Sequence, residues 1–208
     1  MSAVYHRPDP RLAIFGRRRS ERKSTDYAFE AMNIYDGLHA QKHWGTEMDV
    51  TTVQSFIDYY EKVRGRTLRV IDVIPPDKLE WSPAPGKWTL GDLIRHIAAI
   101  ERWMYGETLQ NRHTQYAGCG RDLADGMDAV RAYFNYMHKQ TIDILLTFSD
   151  ADLREKCTTP AGSPIGRGKW MRAMVEHEIH HRGQIYTYLS ILNVPTPPLY
   201  GLTSEEVA

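Results

Sequence analysis

His177-Glu178-Ile179-His180-His181-Arg182-Gly183-Gln184 is the run whose reading decides the fold. Residues four apart on a helix project from one face, about one turn apart along the axis. His177 and His181 therefore offer two imidazoles to one point, and neutral imidazole is a preferred ligand of zinc, nickel, copper and iron. The same letters spell His-Glu-x-x-His, the zinc-protease signature. A protease of that kind needs a third ligand downstream and strands that form a substrate-binding edge. After His181 there is no further histidine, and the only acids are Glu205 and Glu206. The zinc-protease reading is therefore the weakest of the alternatives, and the run is read as part of a helix in an all-α bundle.

Working outward from that run, the chain divides into four helical segments separated by breakers. The last spans about Gly168–Leu192 and stops before Pro195. The first, about Thr52–Ile74, sets Val53, Phe56, Ile57, Tyr60, Val63, Thr67, Leu68 and Ile71 at helical spacing. Pro75-Pro76 ends it. The second starts at Trp88-Thr89-Leu90-Gly91-Asp92, where Thr89 as N-cap and Asp92 three residues on form a capping box with Asp in place of Glu. It carries His96, Ile100 and Trp103 and fades near Gln110. The third, about Leu123–Phe148, buries Met127, Val130, Phe134, Met137, Thr141, Ile144 and Leu145. No strand-like alternation of useful length occurs. Four long amphipathic segments predict a four-helix bundle.

At about 100° per residue, the face of His177 and His181 also holds Trp170, Gln184 and Tyr188. Glu178 points to one side of it, toward a surface or salt-bridged role, and His180 lies to the other. Two imidazoles on an apolar face each carry a desolvation cost that a shared metal ion relieves. His96 stands on the apolar stripe of the second segment, and helices of a bundle face a common core. His96, His177 and His181 are therefore the expected metal ligands. Three protein nitrogens with at least one open position describe a catalytic site. Outer acceptors for the imidazoles are to be sought among Glu178, Gln184 and Glu107. Of these, Glu178 and Gln184 are the catalytic candidates. His113 and His138 have no ligand partner at helical spacing, and Cys119 is read as an ordinary loop cysteine.

Composition narrows the partners. The 208 residues hold 26 basic and 26 acidic side chains, so no global field points to nucleic acid or a membrane surface. Cys119 and Cys157 form no metal-type spacing and are expected as reduced thiols. No apolar run approaches the roughly 20 residues that span a bilayer. A cytoplasmic protein is expected. Residues 1–24 carry seven basic side chains against Asp9 and Glu21. Residues 1–48 are read as an N-terminal extension, partly disordered or helical, ahead of a bundle over 49–208.

The motifs Trp81-Ser82-Pro83-x-Pro85-Gly86-Lys87-Trp88-Thr89-Leu90-Gly91, leading into His96, and His177-Glu178-x-x-His181-Arg182-Gly183-Gln184-Ile185 resemble those of the DinB/YfiT-like family. With the four segments in order, the resemblance covers roughly residues 50–198. It implies a four-helix-bundle metalloenzyme in which His96, His177 and His181 hold a divalent metal, zinc or nickel foremost. It further implies a homodimer, a small-molecule substrate and a low-molecular-weight thiol as co-reactant in a transferase or hydrolase reaction. The contrasting expectation is a non-catalytic, metal-containing stress or ligand-binding module.

Overall fold

The computed structural model describes residues 50–202 and Glu206, all within the unit Thr46–Ala208. The expected extension over residues 1–48 lies outside the described residues. Four helices make the bundle: α1 (Val53–Asp72), α2 (Leu90–Ile100), α3 (Met127–Leu145) and α4 (Arg167–Ile191). Contacts run from α1 to α4, α4 to α2 and α2 to α3, so α1 and α2 face each other diagonally across the core. No helix among the described residues is long and apolar enough to cross a membrane.

Each helix begins and ends for a local reason. At α1 the Thr52 side chain accepts from the Ser55 amide, and Pro75-Pro76 diverts the chain into a short 3₁₀ turn, Pro76–Lys78. At α2 the capping box is complete: Thr89 Oγ1 accepts from the Asp92 amide at 2.9 Å, and Asp92 accepts from the Thr89 amide at 3.0 Å. Thr89→Ala is expected to lose about 1 kcal/mol of stability, the usual worth of such a cap, read as a shift in the urea midpoint. Past Ile100 the helix continues as a π-helical turn, Glu101–Gly106, and a last α-turn, Glu107–Leu109. It ends with Asn111 at φ 57°, a left-handed conformation that asparagine tolerates. Asn193, at φ 55°, closes α4 in the same way. In both, the next amide reaches back to a carbonyl of the last turn, Arg112 to Glu107 and Val194 to Leu189, each at 2.9 Å.

One element escaped the periodicity argument. Lys156–Thr158 (β1) and Pro164–Gly166 (β2) pair antiparallel between α3 and α4, with Cys157 opposite Ile165. Strands of three residues are too short to show an alternation. Cys157 is buried there, and both cysteines are free thiols.

The core is built from Val70, Ile71, Leu90, Leu93, Ile94, Ile97, Val130, Phe134, Ile185 and Leu189, with aromatic rings closing its edges. On α4 the buried positions Met171, Met174, Val175, Glu178, Arg182, Ile185 and Leu189 follow helical spacing. Glu178 thus stands on the stripe that faces the core, and of the surface or salt-bridged role expected for it the salt bridge is the one found, with Arg64. A bundle helix has neighbours on several sides, so its buried face is wider than the histidine stripe used to orient it.

Candidate metal centre

Helices α2 and α4 bring three imidazoles together. His96 Nε2 lies 3.1 Å from His177 Nε2, and His181 Nε2 lies 3.0 Å from the same atom. Their ligand atoms all fall within 4.8 Å of one another, and among the described residues this is the one group of that kind. His96 and His181 are buried, while His177 keeps partial exposure.

The outward nitrogens of two rings have partners, and one of these partners settles a tautomer. His96 Nδ1 meets the Tyr116 hydroxyl at 2.7 Å, and His181 Nδ1 meets Gln184 Oε1 at 2.7 Å. An amide oxygen can only accept, so His181 carries its proton on Nδ1 and turns its Nε2 lone pair inward. A hydroxyl can donate or accept, so Tyr116 is compatible with the same tautomer at His96, which would turn a second Nε2 lone pair toward His177. Such a cluster is electrostatically unfavourable alone and suits a cation. Three nitrogens about 2.1 Å from a tetrahedral zinc would stand ~3.4 Å apart. The donor set therefore fits a divalent transition metal with little rearrangement.

Electrostatics keep the cluster in its ligand form. Burial, with His181 and His180 adding to it, pushes the His96 imidazolium down to about 2. Burial likewise holds His181 at about 4 and His177 well below the ordinary value. All three rings are neutral at physiological pH. The Trp88 ring lies 4.4 Å from His96 and 5.8 Å from His181, centroid to centroid, covering one side of the cluster. Tyr105 packs 5.8 Å from His177 on another.

The remaining sequence-derived candidates divide sharply. Gln184 orients His181. Glu178 is fully buried but turned away: it pairs with Arg64 at 3.1 Å and accepts from Thr67 Oγ1 at 2.5 Å. Glu107 is paired with Arg102 rather than with an imidazole. Trp170 is buried against Tyr105, and Tyr188 meets Trp81 edge-on at 5.7 Å. His180 and His113 are exposed. His138, without a helical partner, is instead buried between Glu101 at 2.8 Å and Glu61 at 3.2 Å. Tyr116 was missed because it lies in an irregular loop, where spacing says nothing about what a side chain reaches. Cys119 lies close by in contact with Tyr116. Burial and Asp92 raise its thiol to about 11, so it stays protonated near neutrality.

Tyr116→Phe and Gln184→Ala remove the outer partners of two imidazoles without opening the core. Each is expected to weaken metal binding about 10- to 100-fold with little change in melting temperature, measured by competitive metal titration.

Comparison with known proteins agrees with this architecture. An uncharacterised protein of Bacillus subtilis (strain 168), YrdA, is 22% identical over 161 residues, covering 76% of this chain and 93% of YrdA. A DinB-like protein from Bacillus cereus ATCC 10987 superposes with a TM-score of 0.62 at 19% identity, covering 72% of this chain and 99% of its own. A DinB-like protein of B. subtilis, YjoA, gives 0.56 at 16% identity, covering 70% and 96%. The four-helix bundle protein TT2238 gives 0.51 at 19% identity, covering 65% and 99%. These likenesses establish the shared fold. The family model of the DinB superfamily matches residues 59–185 of the 208. With the four helices and the order of the motifs already described, the chain belongs to the DinB superfamily.

Proposed function

We propose that the chain is a divalent-metal-dependent enzyme that activates a thiol or a water molecule for transfer to, or hydrolysis of, a small molecule. The observation that carries this is the approach of His96 and His181 Nε2 to His177 Nε2, at 3.1 and 3.0 Å, with Tyr116 and Gln184 holding two outward nitrogens. His96, His177 and His181 would hold the ion, and zinc and nickel are among the metals that imidazole suits. A bound ion of this kind supplies Lewis acidity and lowers the pKa of a coordinated water or thiol toward neutrality. The protein's own contribution is positional. Tyr116 and Gln184 orient the rings, Trp88 and Tyr105 restrict water on two sides, and three neutral ligands leave the positive charge of the ion uncompensated. Held by these three residues, an ion would therefore attract an anionic group of a small-molecule co-reactant. Glu178, engaged by Arg64 and Thr67, is not placed to move a proton at the cluster.

A second reading, a metal-containing binding module without turnover, is supported by the burial of two of the three rings: His96 is 2% exposed and His181 8%. The experiment that tests both begins with elemental analysis of tag-free protein beside His181→Ala. About one equivalent of a transition metal in wild type, and none in the variant, is the expected result. Equal metal in both would end the metal reading. Loss of free thiol is then followed with glutathione or a sugar thiol and electrophilic small molecules. Turnover that disappears in His181→Ala supports the enzyme, and metal without turnover supports the binding module.

A further inference from the structure

Arg64 lies fully buried on α1, at a point that all four helices reach. Its Nη2 hydrogen-bonds Glu101, which opens the π-helical turn after α2. The same atom lies 3.1 Å from Glu178 Oε2 on α4 as an ion pair without a hydrogen bond, while Nε and Nη1 meet no hydrogen-bond partner. The guanidinium also sits 3.9 Å over the Phe134 ring of α3. Both carboxylates are held a second time. Glu178 accepts from Thr67 of α1 at 2.5 Å, and Glu101 meets His138 of α3 at 2.8 Å. The carboxylates come from the two helices that carry the imidazoles, and Arg64 reaches Glu101 across the bundle diagonal.

A buried ion triad is a poor means of stabilising a bundle. Desolvation offsets most of the Coulombic gain, and well-packed apolar replacements are often neutral or stabilising. Apolar contacts can slide past one another, whereas two carboxylates drawn to one buried cation must both stay close to it. Glu178 directly follows His177 and precedes His181 by three residues. Glu101 follows His96 by five, about 7.5 Å along the helix axis. Tying both carboxylates to one cation fixes the rotation and axial register of α2 against α4 a turn or so from the ligands.

We infer that Arg64, Glu101 and Glu178 are positioning residues that hold α2 and α4 in the register bringing His96 Nε2 to His177 Nε2; this rests on reading the cluster as a metal centre. The triad touches no imidazole, so it acts through the helices. This gives a use to the glutamate of the His-Glu-x-x-His run that is unrelated to proton transfer.

The test replaces the triad as a unit, Arg64→Met with Glu101→Leu and Glu178→Leu, in the full chain, with Co(II) as the probe. The variant is expected to keep its helical circular dichroism and a melting temperature near wild type. Its Co(II) affinity is expected to fall about 10-fold or more, since a site loosened by ~1 Å loses its preorganisation, and its visible cobalt absorption should change shape. Wild-type affinity and an unaltered cobalt spectrum in the triple variant would overturn the inference. Should the triple variant fail to fold, Glu178→Gln, which keeps the shape and removes the charge, is measured in its place. Weaker Co(II) binding by that variant, measured well below its own unfolding transition, supports the inference, and unchanged binding overturns it. If wild type takes up no Co(II), the metal reading itself fails, and the positioning role is judged in the metal-free protein by the ring-to-ring nuclear Overhauser effect between His96 and His177. Its loss in the variant supports the inference, and its persistence overturns it.

Discussion

Arg64→Met is expected to destabilise the protein by about 3–5 kcal/mol, the cost of breaking a buried ion pair by removing one partner. Arg64, Glu101 and Glu178 are 2%, 2% and 0% exposed, so neither carboxylate can recover its loss from solvent. The size of the effect depends on pH, and its sign can be worked out at Glu101. Burial pushes that carboxyl up, but Arg64 and His138 outweigh it and hold the folded-state pKa below the ordinary 4.5. A depressed carboxyl contributes stability that is present above the unfolded value and is lost as pH falls through the folded one. Without Arg64, burial gains ground, and the Glu101 carboxyl moves up toward or past its unfolded value. The variant then gains relative to wild type as the solution is acidified. Urea unfolding at pH 7.5 and pH 5 should therefore show a large stability gap that narrows at the lower pH. A gap below about 1 kcal/mol at pH 7.5, the range of an exposed pair, would show that the triad is not sealed from water.

Arg95→Met is expected to lose about 3 kcal/mol and to weaken metal binding as well. Arg95 is fully buried one residue before His96. Its guanidinium donates to Glu80, Asp92 and the carbonyls of Cys119 and Ala124, at 2.9–3.0 Å. Glu80 and Asp92 are partly exposed and can be resolvated, so the loss is smaller than a fully sealed pair would give. The two orphaned carbonyls account for much of it, each costing about 1–3 kcal/mol if left unmet. Those carbonyls belong to the loop that carries Tyr116 to His96. Freed of Arg95, the loop should show faster amide exchange around residues 116–124, and metal affinity should drop in the manner of Tyr116→Phe. Loss of stability with unchanged affinity would mean that the loop is held by its other contacts. Gly91 belongs to the same construction: a Cβ there would stand 2.8 Å from Glu80 Oε1 and 2.9 Å from Arg95 Nη2. The glycine that ends the Trp81–Gly91 motif thus makes room for the ion pair beneath it.

The bundle was legible because its cues are local. Helical spacing of Val53, Phe56, Ile57 and Tyr60, the Thr89–Asp92 capping box and the stop at Pro75-Pro76 each act within a few residues. The three histidines could be grouped for a related reason. His177 and His181 are fixed relative to each other by one turn of helix, and His96 follows once α2 is known to face the same core. The chain's own periodicity says less where a partner is distant. Thr67 and Glu178 are separated by 111 positions and Arg64 and Glu101 by 37, so their pairing exists only once the helices have packed. Tyr116 reaches His96 from a loop without periodicity, and the hairpin strands are too brief to announce themselves.

Sequence by itself therefore determined the number of helices, the capping box of α2 and the histidines they carry, because backbone hydrogen bonding and side-chain period act over one or two turns. Tertiary structure alone decided that Glu178 turns to Arg64 instead of the cluster, that Tyr116 and Gln184 meet two outward ring nitrogens, and that the three imidazoles come together. Those outcomes depend on burial and on the direction of long-range polar contacts, both of which appear only when the four helices are brought together.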